Sequence, residues 1–368
     1  MASAFGERLK ISVFGESHGI GIGALADGFP AGFPIDTDAL MRFMERRQGG
    51  RNALSTSCKE PDIPVFVSGV TDGKTNGFPL CIQIANTNTK SSDYKNLADI
   101  PRPSHADYSA YVKWHGNADM RGGGHFSGRL TAPICAAGGI AKQVLAKSNI
   151  HVGAHLLSVA GVQDERLPLY PDAALFAQIA GKMFPVISDD AGCAMQQAIL
   201  AAREAQDSVG GRIECAVTGV PAGLGDPMFD GIENRLARVL FGIPAVKGVE
   251  FGDGFALSDM RGSAANDPFC MDAGKVAAET NRNGGILGGI TTGMPVRFTV
   301  GIKPTPSISQ KQRSVSLSSH QNAELEIHGR HDPCIAQRAV PVIEACAALV
   351  MLDVLLCSGY DLSDIAED

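Results

Sequence analysis

Residues 75–84 read TNGFPLCIQI and residues 291–300 read TTGMPVRFTV, and their apolar residues share the alternating phase of a β-strand. Two more pairs of stretches match in the same order along the chain: GFPAGFP from Gly28 with GVPAGLG from Gly219, and IPVFVSGV from Ile63 with IPAVKGV from Ile243. Glycine–proline turns often resemble one another, so a single pair carries little weight. Three pairs in one order indicate a duplicated structural unit.

The repeat predicts a single α+β domain that spans residues 1–368. Its two copies occupy about residues 20–90 and 212–303, and each has the pattern of a strand–helix–strand unit. We expect a pseudo-twofold arrangement in which helices pack against antiparallel or mixed sheets, as a β-α-β sandwich. Helices are predicted after Asp36, from Pro227, and over Ala191–Asp207.

The composition is that of a globular protein with a large core. Of the 368 residues, 44% are hydrophobic and 19% are charged, and the formal net charge is −7. A negative chain is a poor general binder of nucleic acid, so any anion site must be built locally from a few cations. Nine cysteines without a CxxC pair indicate reduced thiols, and they predict a cytoplasmic protein.

The sequence predicts neither a signal peptide nor a membrane segment. The stretch MASAFGERLKISVF contains no apolar run of signal-peptide length, so we expect no secretion. The most apolar segment is Ala339–Cys357, which carries Glu344 and Asp353. Charged residues at these positions favour a buried amphipathic helix of a globular core over a membrane span.

Glycine-rich turns that carry cations are the candidate functional sites. Ser17 and His18 follow the predicted strand ISVF in GESHG, and Arg102 and His105 lie beside prolines in RPSHAD. Polar side chains on short turns at strand ends are common in active sites. Each of these turns, taken alone, is equally compatible with a structural histidine.

Three further turns concentrate charge in the same way: RRQGGR at residues 46–51, KPTPS at 303–307 and GRHDP at 329–333. Guanidinium groups at this density suit phosphate or carboxylate ligands, but they also suit a solvated helix end. The aspartate before proline in GRHDP is either a site carboxylate or a helix cap. Both interpretations remain open from the residues alone.

The stretch RGGGHFSGRLT at residues 121–131 holds three consecutive glycines ahead of a predicted helix. Backbone N–H groups of such a turn can form an anion cradle, with Ser127 and Arg129 as further donors. The alternative is a close crossing of two chain segments, which glycine also permits. Neither a P-loop nor a GxGxxG pattern is present in it.

The HVGAH stretch at His151–His155 has the HxxxH spacing of a helical metal site. Its neighbours alternate as a strand, however, and a strand would hold the two histidines about 13 Å apart. We therefore predict no metal site.

Taken in order, these turns resemble those of the chorismate synthase family. The matching motifs are FGESHG, the RR…R cluster, RPSHADY, RGGG…S-R-TA, GVPAGLG, AVKGVEFGDGF, NGGILGGI, KPTPS and GRHDPC, and they run from about residue 14 to 346. The resemblance implies elimination of phosphate from 5-enolpyruvylshikimate 3-phosphate to give chorismate, with reduced FMN required and no net redox change. It also implies a homotetramer, and it leaves open whether NADPH reduces the flavin on the protein.

Residue roles follow from the same resemblance. Ser17 and His18 would contact the substrate phosphate, with His18 as the acid that protonates the leaving group. His105 would lie against the flavin and protonate its reduced form, and Asp332 would help to remove the C6 proton by way of the flavin. Histidine suits such roles because its ordinary pKa lies near neutral pH.

The resemblance also implies anion clamps and cofactor contacts. The expected ligands of substrate or NADP are Arg46, Arg47, Arg51, Arg102, Arg129 and Arg330. The expected contacts of FMN are His105, His125, Phe126, Ser127, Ala245, Gly288, Lys303, Pro304, Thr305, Pro306, Ser307 and Arg330. Ser127 is counted as catalytic too. His125 stands in a turn where many family members carry other residues, and we expect it to replace some of their hydrogen-bond donors; Ser104 stands where glycine is usual.

Two alternatives from other classes remain. A phosphotransferase could bind a nucleotide in the glycine-rich turns, although the chain has no Walker lysine motif. A non-catalytic duplicated scaffold could contain such turns by chance, although arginine and histidine would then have no reason to gather in them.

Overall fold

The structure, a computed structural model, describes residues 3–50, 54, 60–87, 99–327 and 332–360. Its helices are α1 Thr37–Glu45, α2 Asp107–Lys113, α3 Thr131–Lys147, α4 Ala173–Gly181, α5 Asp189–Glu204, α6 Ile232–Leu240, α7 Gly262–Ala265 and α8 Ala336–Ser358. Its strands are β1 Ala4–Phe5, β2 Lys10–Gly15, β3 Gly21–Asp27, β4 Val65–Ser68, β5 Val70–Thr71, β6 Lys74–Thr75, β7 Leu80–Ala85, β8 His151–Val159, β9 Val162–Gln163, β10 Gly211–Thr218, β11 Val246–Phe251, β12 Phe269–Asp272, β13 Lys275–Ala278, β14 Ile286–Leu287, β15 Ile290–Thr291, β16 Val296–Ile302, β17 Gln312–Ser316 and β18 Gln321–Leu325.

Two five-stranded antiparallel sheets form the frame of the molecule. The first has the strand order β1-β2-β3-β7-β4, and the second has the order β9-β8-β10-β16-β11. The strands of both sheets alternate apolar and polar residues, which puts one apolar face of each sheet towards the helices. The predicted α+β fold, with helices packed against antiparallel sheets, is confirmed.

Helices α3 and α8 lie side by side between the two sheets. Helix α3 packs against β3 and β7 of the first sheet, while α8 packs against β8 and β10 of the second. A Cβ added to Gly138 of α3 would lie 2.5 Å from the Cα of Ala345 in α8, so only glycine permits this approach. The helix pair is therefore the buried middle layer of the β-α-β sandwich.

Helix α8 confirms the prediction of a buried helix but not of an amphipathic one. It is long and apolar enough to cross a membrane, yet 89% of its most apolar window is buried inside the protein. Its two carboxylates are also buried and paired. Glu344 binds Arg46 and Lys142, and Asp353 accepts hydrogen bonds of 2.8–3.1 Å from the backbone amides of residues 7–9. The helix thus has no polar face.

The helix boundaries follow the caps. Helix α1 begins where predicted, because the Asp36 side chain accepts a hydrogen bond of 2.8 Å from the amide of Ala39. Helix α6 begins at Ile232 and not at Pro227, since residues 226–230 form a turn ahead of the cap at Gly231. Phe229, expected on the buried face of this helix, is 85% exposed.

Two buried threonines make the same contacts in the two halves of the chain. The Thr75 hydroxyl donates to the carbonyl of Pro30 at 2.6 Å and accepts from the amide of Phe33 at 3.0 Å. The matching bonds of Thr291 join its hydroxyl to Pro221 at 2.7 Å and Leu224 at 2.9 Å. Thr75 thereby fixes the turn after β3, and Thr291 fixes the turn after β10.

Candidate active site

The three consecutive glycines bring one turn directly onto Ser17 and His18. Gly122, Gly123 and Gly124 have φ of 61°, 90° and 55°, in the left-handed region that glycine adopts at low cost. A Cβ on Gly122 would lie 2.5 Å from His18 Nε2 and 2.9 Å from Ser17 Oγ. The Ser17 amide also donates to the carbonyl of Gly124 at 3.1 Å. Close crossing is therefore the reason for glycine at position 122.

His105 lies on the other side of the same turn. The Cβ position of Gly123 is 3.5 Å from His105 Nε2 and 3.5 Å from the Cβ of Ser127. Two imidazoles that are distant in sequence thus flank a single glycine turn, and both line one cleft.

This cleft has a volume of about 1330 Å³. A typical pocket for one small molecule measures about 300–1,000 Å³, so the cleft has room for two. The predicted site residues that line it are Ser17, His18, Arg47, Arg102, His105, His125, Phe126, Ser127, Arg129, Ala245, Lys303, Thr305, Pro306, Ser307 and Asp332.

The structure does not bring every predicted residue into the cleft. Arg46 binds both oxygens of Glu344, at 2.6 and 3.0 Å, and its guanidinium is not available to an anionic ligand. Gly288 lies in the turn between β14 and β15, and Pro304 packs beside Gly210; neither lines the cleft. Arg51 and Arg330 lie outside the described residues.

Arg102 and His105 are held by Asp107, a residue for which the sequence indicated no role. Arg102 donates to the two carboxylate oxygens through Nε and Nη2, both at 2.7 Å, and through its own amide at 3.0 Å. His105 Nδ1 lies 2.6 Å from Asp107 Oδ1. Burial favours a raised pKa for Asp107, but the hydrogen bonds from Arg102 and His105 outweigh it and hold that pKa well below its usual range.

Arg47 and Arg129 both bind a second carboxylate, that of Asp62. Arg47 also donates from Nη1 to the carbonyl of Gly128 at 3.3 Å, while its Nε is buried without a partner among the described residues. Burial favours a raised pKa for Asp62, but the charges of Arg47 and Arg129 outweigh it and lower the pKa.

Asp332 lies at the far side of the cleft, just ahead of α8. Arg338, from the first turn of α8, donates through Nη1 to Asp332 and through Nε to the carbonyl of Arg47 at 2.9 Å. Arg338 therefore links Asp332 to Arg47, a connection that neither motif predicted.

The imidazole of His125 is used within the protein. Its Nδ1 donates to the carbonyl of Gly15 at 2.8 Å, and its Nε2 accepts from the hydroxyl of Ser3 at 2.9 Å. Both ring nitrogens thus have partners within the protein, and Nδ1 anchors the glycine turn to the end of β2.

The KPTPS end of the cleft has the features of an anion site next to an aromatic wall. Burial, and next the charge of Lys247, lowers the pKa of Lys303. Within the described residues Lys247 and Lys303 form no ion pair, and the Thr305 hydroxyl is buried without a partner. Nearby, the rings of Trp114 and Phe126 line the cleft with centroids 5.8 Å apart. A planar ring that carries a phosphate fits this donor set.

Comparison with known proteins decides the family. The family model described as chorismate synthase matches residues 9–356. The chain belongs to the chorismate synthase family. The chorismate synthase of Methanocella arvoryzae is 44% identical over 361 residues, covering 97% of this chain and 95% of that protein. That of Thermococcus gammatolerans is 46% identical over 351 residues, covering 95% and 97%.

A crystal structure of a chorismate synthase has the same fold. It superposes with a TM-score of 0.76 at 27% identity, and the match covers 96% of this chain and 93% of that chain. The chain is accordingly a lyase of the chorismate synthase family, and the phosphotransferase alternative is not supported.

Proposed function

We propose that the cleft eliminates phosphate from 5-enolpyruvylshikimate 3-phosphate to form chorismate, with reduced FMN bound beside the substrate. The observation that carries this proposal is the placement of His18 and His105 on the two sides of one glycine turn, inside a cation-lined cleft. Such a cleft suits a substrate with one phosphate and two carboxylates.

The cations of the cleft supply the charge that the whole chain lacks. Those that line it are Arg47, Arg102, Arg129, Arg238, Lys247, Lys303 and Arg338. Against them stand the lining carboxylates Glu16, Glu60, Asp119 and Asp332, together with Asp62 and Asp107 behind the wall. Lys247, Lys303 and Arg238 form no ion pair among the described residues, although Lys303 Nζ donates to the carbonyl of Ser104. An incoming polyanion would supply the negative charge that these three cations lack.

His18 is the acid for the leaving phosphate in this proposal, and the Ser17 hydroxyl is a donor to the same group. Both side chains lie against the glycine turn, where any larger residue would displace them. Protonation of a departing phosphate oxygen lowers the charge that develops in the transition state, and such acid catalysis is worth about 10²–10⁴-fold.

The KPTPS end of the cleft is the proposed binding site of FMN. Lys303, Thr305 and Ser307 would hold its polar groups, and the ring would lie near Trp114 and Phe126. When bound, the reduced flavin supplies transient electron density for an elimination whose two leaving groups are at opposite ends of a conjugated system. His105 presents Nε2 to the cleft for proton transfer, and Arg338 holds Asp332 in place as a second proton-transfer group.

Some features of the wider assignment belong to the same proposal. Four strands have matching order in the two sheets, β2-β3-β7-β4 and β8-β10-β16-β11. This match and the equivalent bonds of Thr75 and Thr291 support an internal duplication with a pseudo-twofold axis. We also propose a cytoplasmic homotetramer and NADPH as a candidate reductant of the flavin.

The test is an anaerobic incubation of the protein with the substrate and chemically reduced FMN while phosphate and chorismate are followed. We expect the two products in equal amounts, with no consumption of the reduced flavin. Absence of phosphate release under these conditions would contradict the proposal. A parallel incubation with oxidised FMN and NADPH shows whether the protein reduces its own flavin.

A further inference from the structure

The side chain of His105 has two neighbours at the same ring nitrogen. Nδ1 lies 2.6 Å from Asp107 Oδ1 and 3.0 Å from Arg102 Nη2. Both cannot be hydrogen bonds at once, because one in-plane position of a ring nitrogen carries either a proton or a lone pair. The neighbours therefore decide which tautomer the ring adopts.

The hydrogen-bond partner of His105 Nδ1 is the carboxylate of Asp107 and not the guanidinium of Arg102. An ionised Asp107 is only an acceptor, so a lone pair on Nδ1 would face an anionic oxygen at 2.6 Å, which is repulsive. With a proton on Nδ1 the same contact is a short, charge-assisted hydrogen bond. Arg102 loses nothing in this arrangement, because the Nη2 group already donates to Asp107 Oδ1 at 2.7 Å.

We propose that Asp107 is a positioning residue that fixes the proton of neutral His105 on Nδ1 and leaves Nε2 bare towards the glycine turn. This inference rests on the proposed function only for the role of the unprotonated Nε2, which is proton transfer. A bare Nε2 can accept a proton in the cleft, and the cationic ring can return it at the same atom. Arg102 acts through Asp107, as the group that keeps the carboxylate ionised and oriented.

The surroundings of Asp107 hold its carboxylate in a fixed position against His105. It is 8% exposed and starts α2, and its two oxygens receive three donors from Arg102 and one from His105. Arg102 in turn donates from Nη1 to Ser307 Oγ at 3.3 Å. The tautomer of His105 is thereby linked to the KPTPS end of the cleft. The serine proteases offer the precedent for this logic, since there an aspartate behind the catalytic histidine selects the tautomer.

The first test reads the tautomer in the protein without cofactor or substrate. Solid-state NMR of protein labelled with ¹⁵N-histidine, at about pH 9 and thus above the ordinary titration range of histidine, distinguishes a protonated from a bare ring nitrogen. His105→Gln identifies the signals among the nine histidines. We expect a protonated Nδ1 and a bare Nε2 for His105; the reverse pattern in the unmodified protein would overturn the proposal, whether or not any variant folds.

The second test changes the carboxylate alone. In Asp107→Asn the amide carbonyl should take the place of Oδ2, where it keeps the two donors Nε and the backbone amide of Arg102. The NH₂ group then takes the place of Oδ1, loses the bond from Arg102 Nη2 and presents a donor to His105, which moves the ring proton to Nε2. Phosphate release should fall by about 10²–10⁴-fold in kcat, with little change in KM. Asp107→Glu, which keeps the charge, should retain the tautomer and part of the rate. Asp172→Asn, an identical change at the N-cap of α4, should alter neither the tautomer of His105 nor kcat.

The outcomes separate this inference from the proposed function. If Asp107→Asn keeps the proton on Nδ1, or if the tautomer moves and kcat does not fall, Asp107 is not a positioning residue. If the unmodified protein shows the expected tautomer but releases no phosphate, the proposed reaction fails, while the role of Asp107 in fixing His105 stands.

Discussion

Arg47 and Arg129 bind opposite oxygens of one buried carboxylate, that of Asp62. Both arginines line the cleft, whereas Asp62 is 1% exposed and lies behind them. The pair is thus oriented before any ligand arrives. Asp62 offsets one of its two positive charges, and Glu60 Oε2 lies 3.7 Å from Arg129 Nη2.

Asp62→Asn should lower the free energy of unfolding by about 3 kcal/mol, since it leaves buried guanidinium groups uncompensated. Inorganic phosphate should restore more stability to this variant than to the unmodified protein, which thermal unfolding at several phosphate concentrations measures. Asp253→Asn is the matched control, because Asp253 bridges Arg166 and Arg282 at the surface. There the loss should be about 1 kcal/mol or less, and an equal phosphate response in both variants would contradict the prediction.

Gly122→Ala should abolish most phosphate release, because the new methyl group would occupy the positions of His18 and Ser17. Steady-state kinetics and circular dichroism separate loss of activity from loss of the fold. Gly161→Ala is the control for backbone strain: it also has a positive φ, of 85°, but a Cβ there meets no atom within 4 Å. If Gly161→Ala lost as much activity as Gly122→Ala, backbone strain and not steric displacement would account for the loss.

His18→Ala should fold and bind FMN yet lose about 10²–10⁴-fold in phosphate release, the range of general acid catalysis. Stopped-flow or endpoint phosphate assays give the rate, and flavin fluorescence gives the affinity. His115→Ala, an exposed histidine that does not line the cleft, should behave as the unmodified protein. Unchanged turnover in His18→Ala would remove His18 from the acid role.

His155 is buried between Asp164 and Glu214, and this cluster should make stability depend on pH. Burial favours a lowered pKa for His155, but the hydrogen bonds and charges of the two carboxylates outweigh it and raise the pKa. Burial likewise favours a raised pKa for Glu214, but His155 and Arg297 hold it at about 2. The histidine contribution is therefore complete below its unfolded pKa of about 6.5 and is lost as pH rises through the higher folded value.

His155→Gln should accordingly cost about 3 kcal/mol at pH 6, and the difference from the unmodified protein should shrink towards alkaline pH. Urea unfolding at a series of pH values measures this difference, and His320→Gln at an exposed position is the control. A difference that stays constant from pH 6 to pH 10 would show that His155 is not charged in the native state.

Ser104 has φ of 59°, in the left-handed region that costs a side chain about 1–2 kcal/mol. Ser104→Gly should remove this strain and, after the larger entropy of glycine in the unfolded chain, raise stability by about 0.5–1 kcal/mol. Ser148→Gly at φ of −94° should change stability by a similar amount in the opposite direction. Thermal unfolding of the two variants measures both stability changes, and a loss of stability in Ser104→Gly would contradict the prediction.

The strands and most helices could be predicted because their signals are local. Alternation defined β7, β10 and β16, and a capping aspartate defined the start of α1. The start of α6 was mispredicted because Pro227 suits a turn as well as a first helical turn.

The site could be predicted only as a set of turns, because partners distant in sequence decide what each side chain does. Arg46 and Arg47 are adjacent, but one residue turns a helix end by about 100°, so one faces Glu344 and the other faces the cleft. Asp62 and Arg338 lie in none of the motifs, and Asp107 lies in RPSHADY without a pattern that indicates its role. Their roles follow from which guanidinium or imidazole the fold places against them.

The hydrogen bonds from the amides of residues 7–9 to Asp353 have a consequence for the folding of the chain during its synthesis. Among the described residues this loop ahead of β2 obtains its acceptor from α8, so its amides stay hydrated until synthesis has passed Asp353. The opening strands should accordingly be the last part of the first sheet to gain protection against hydrogen exchange.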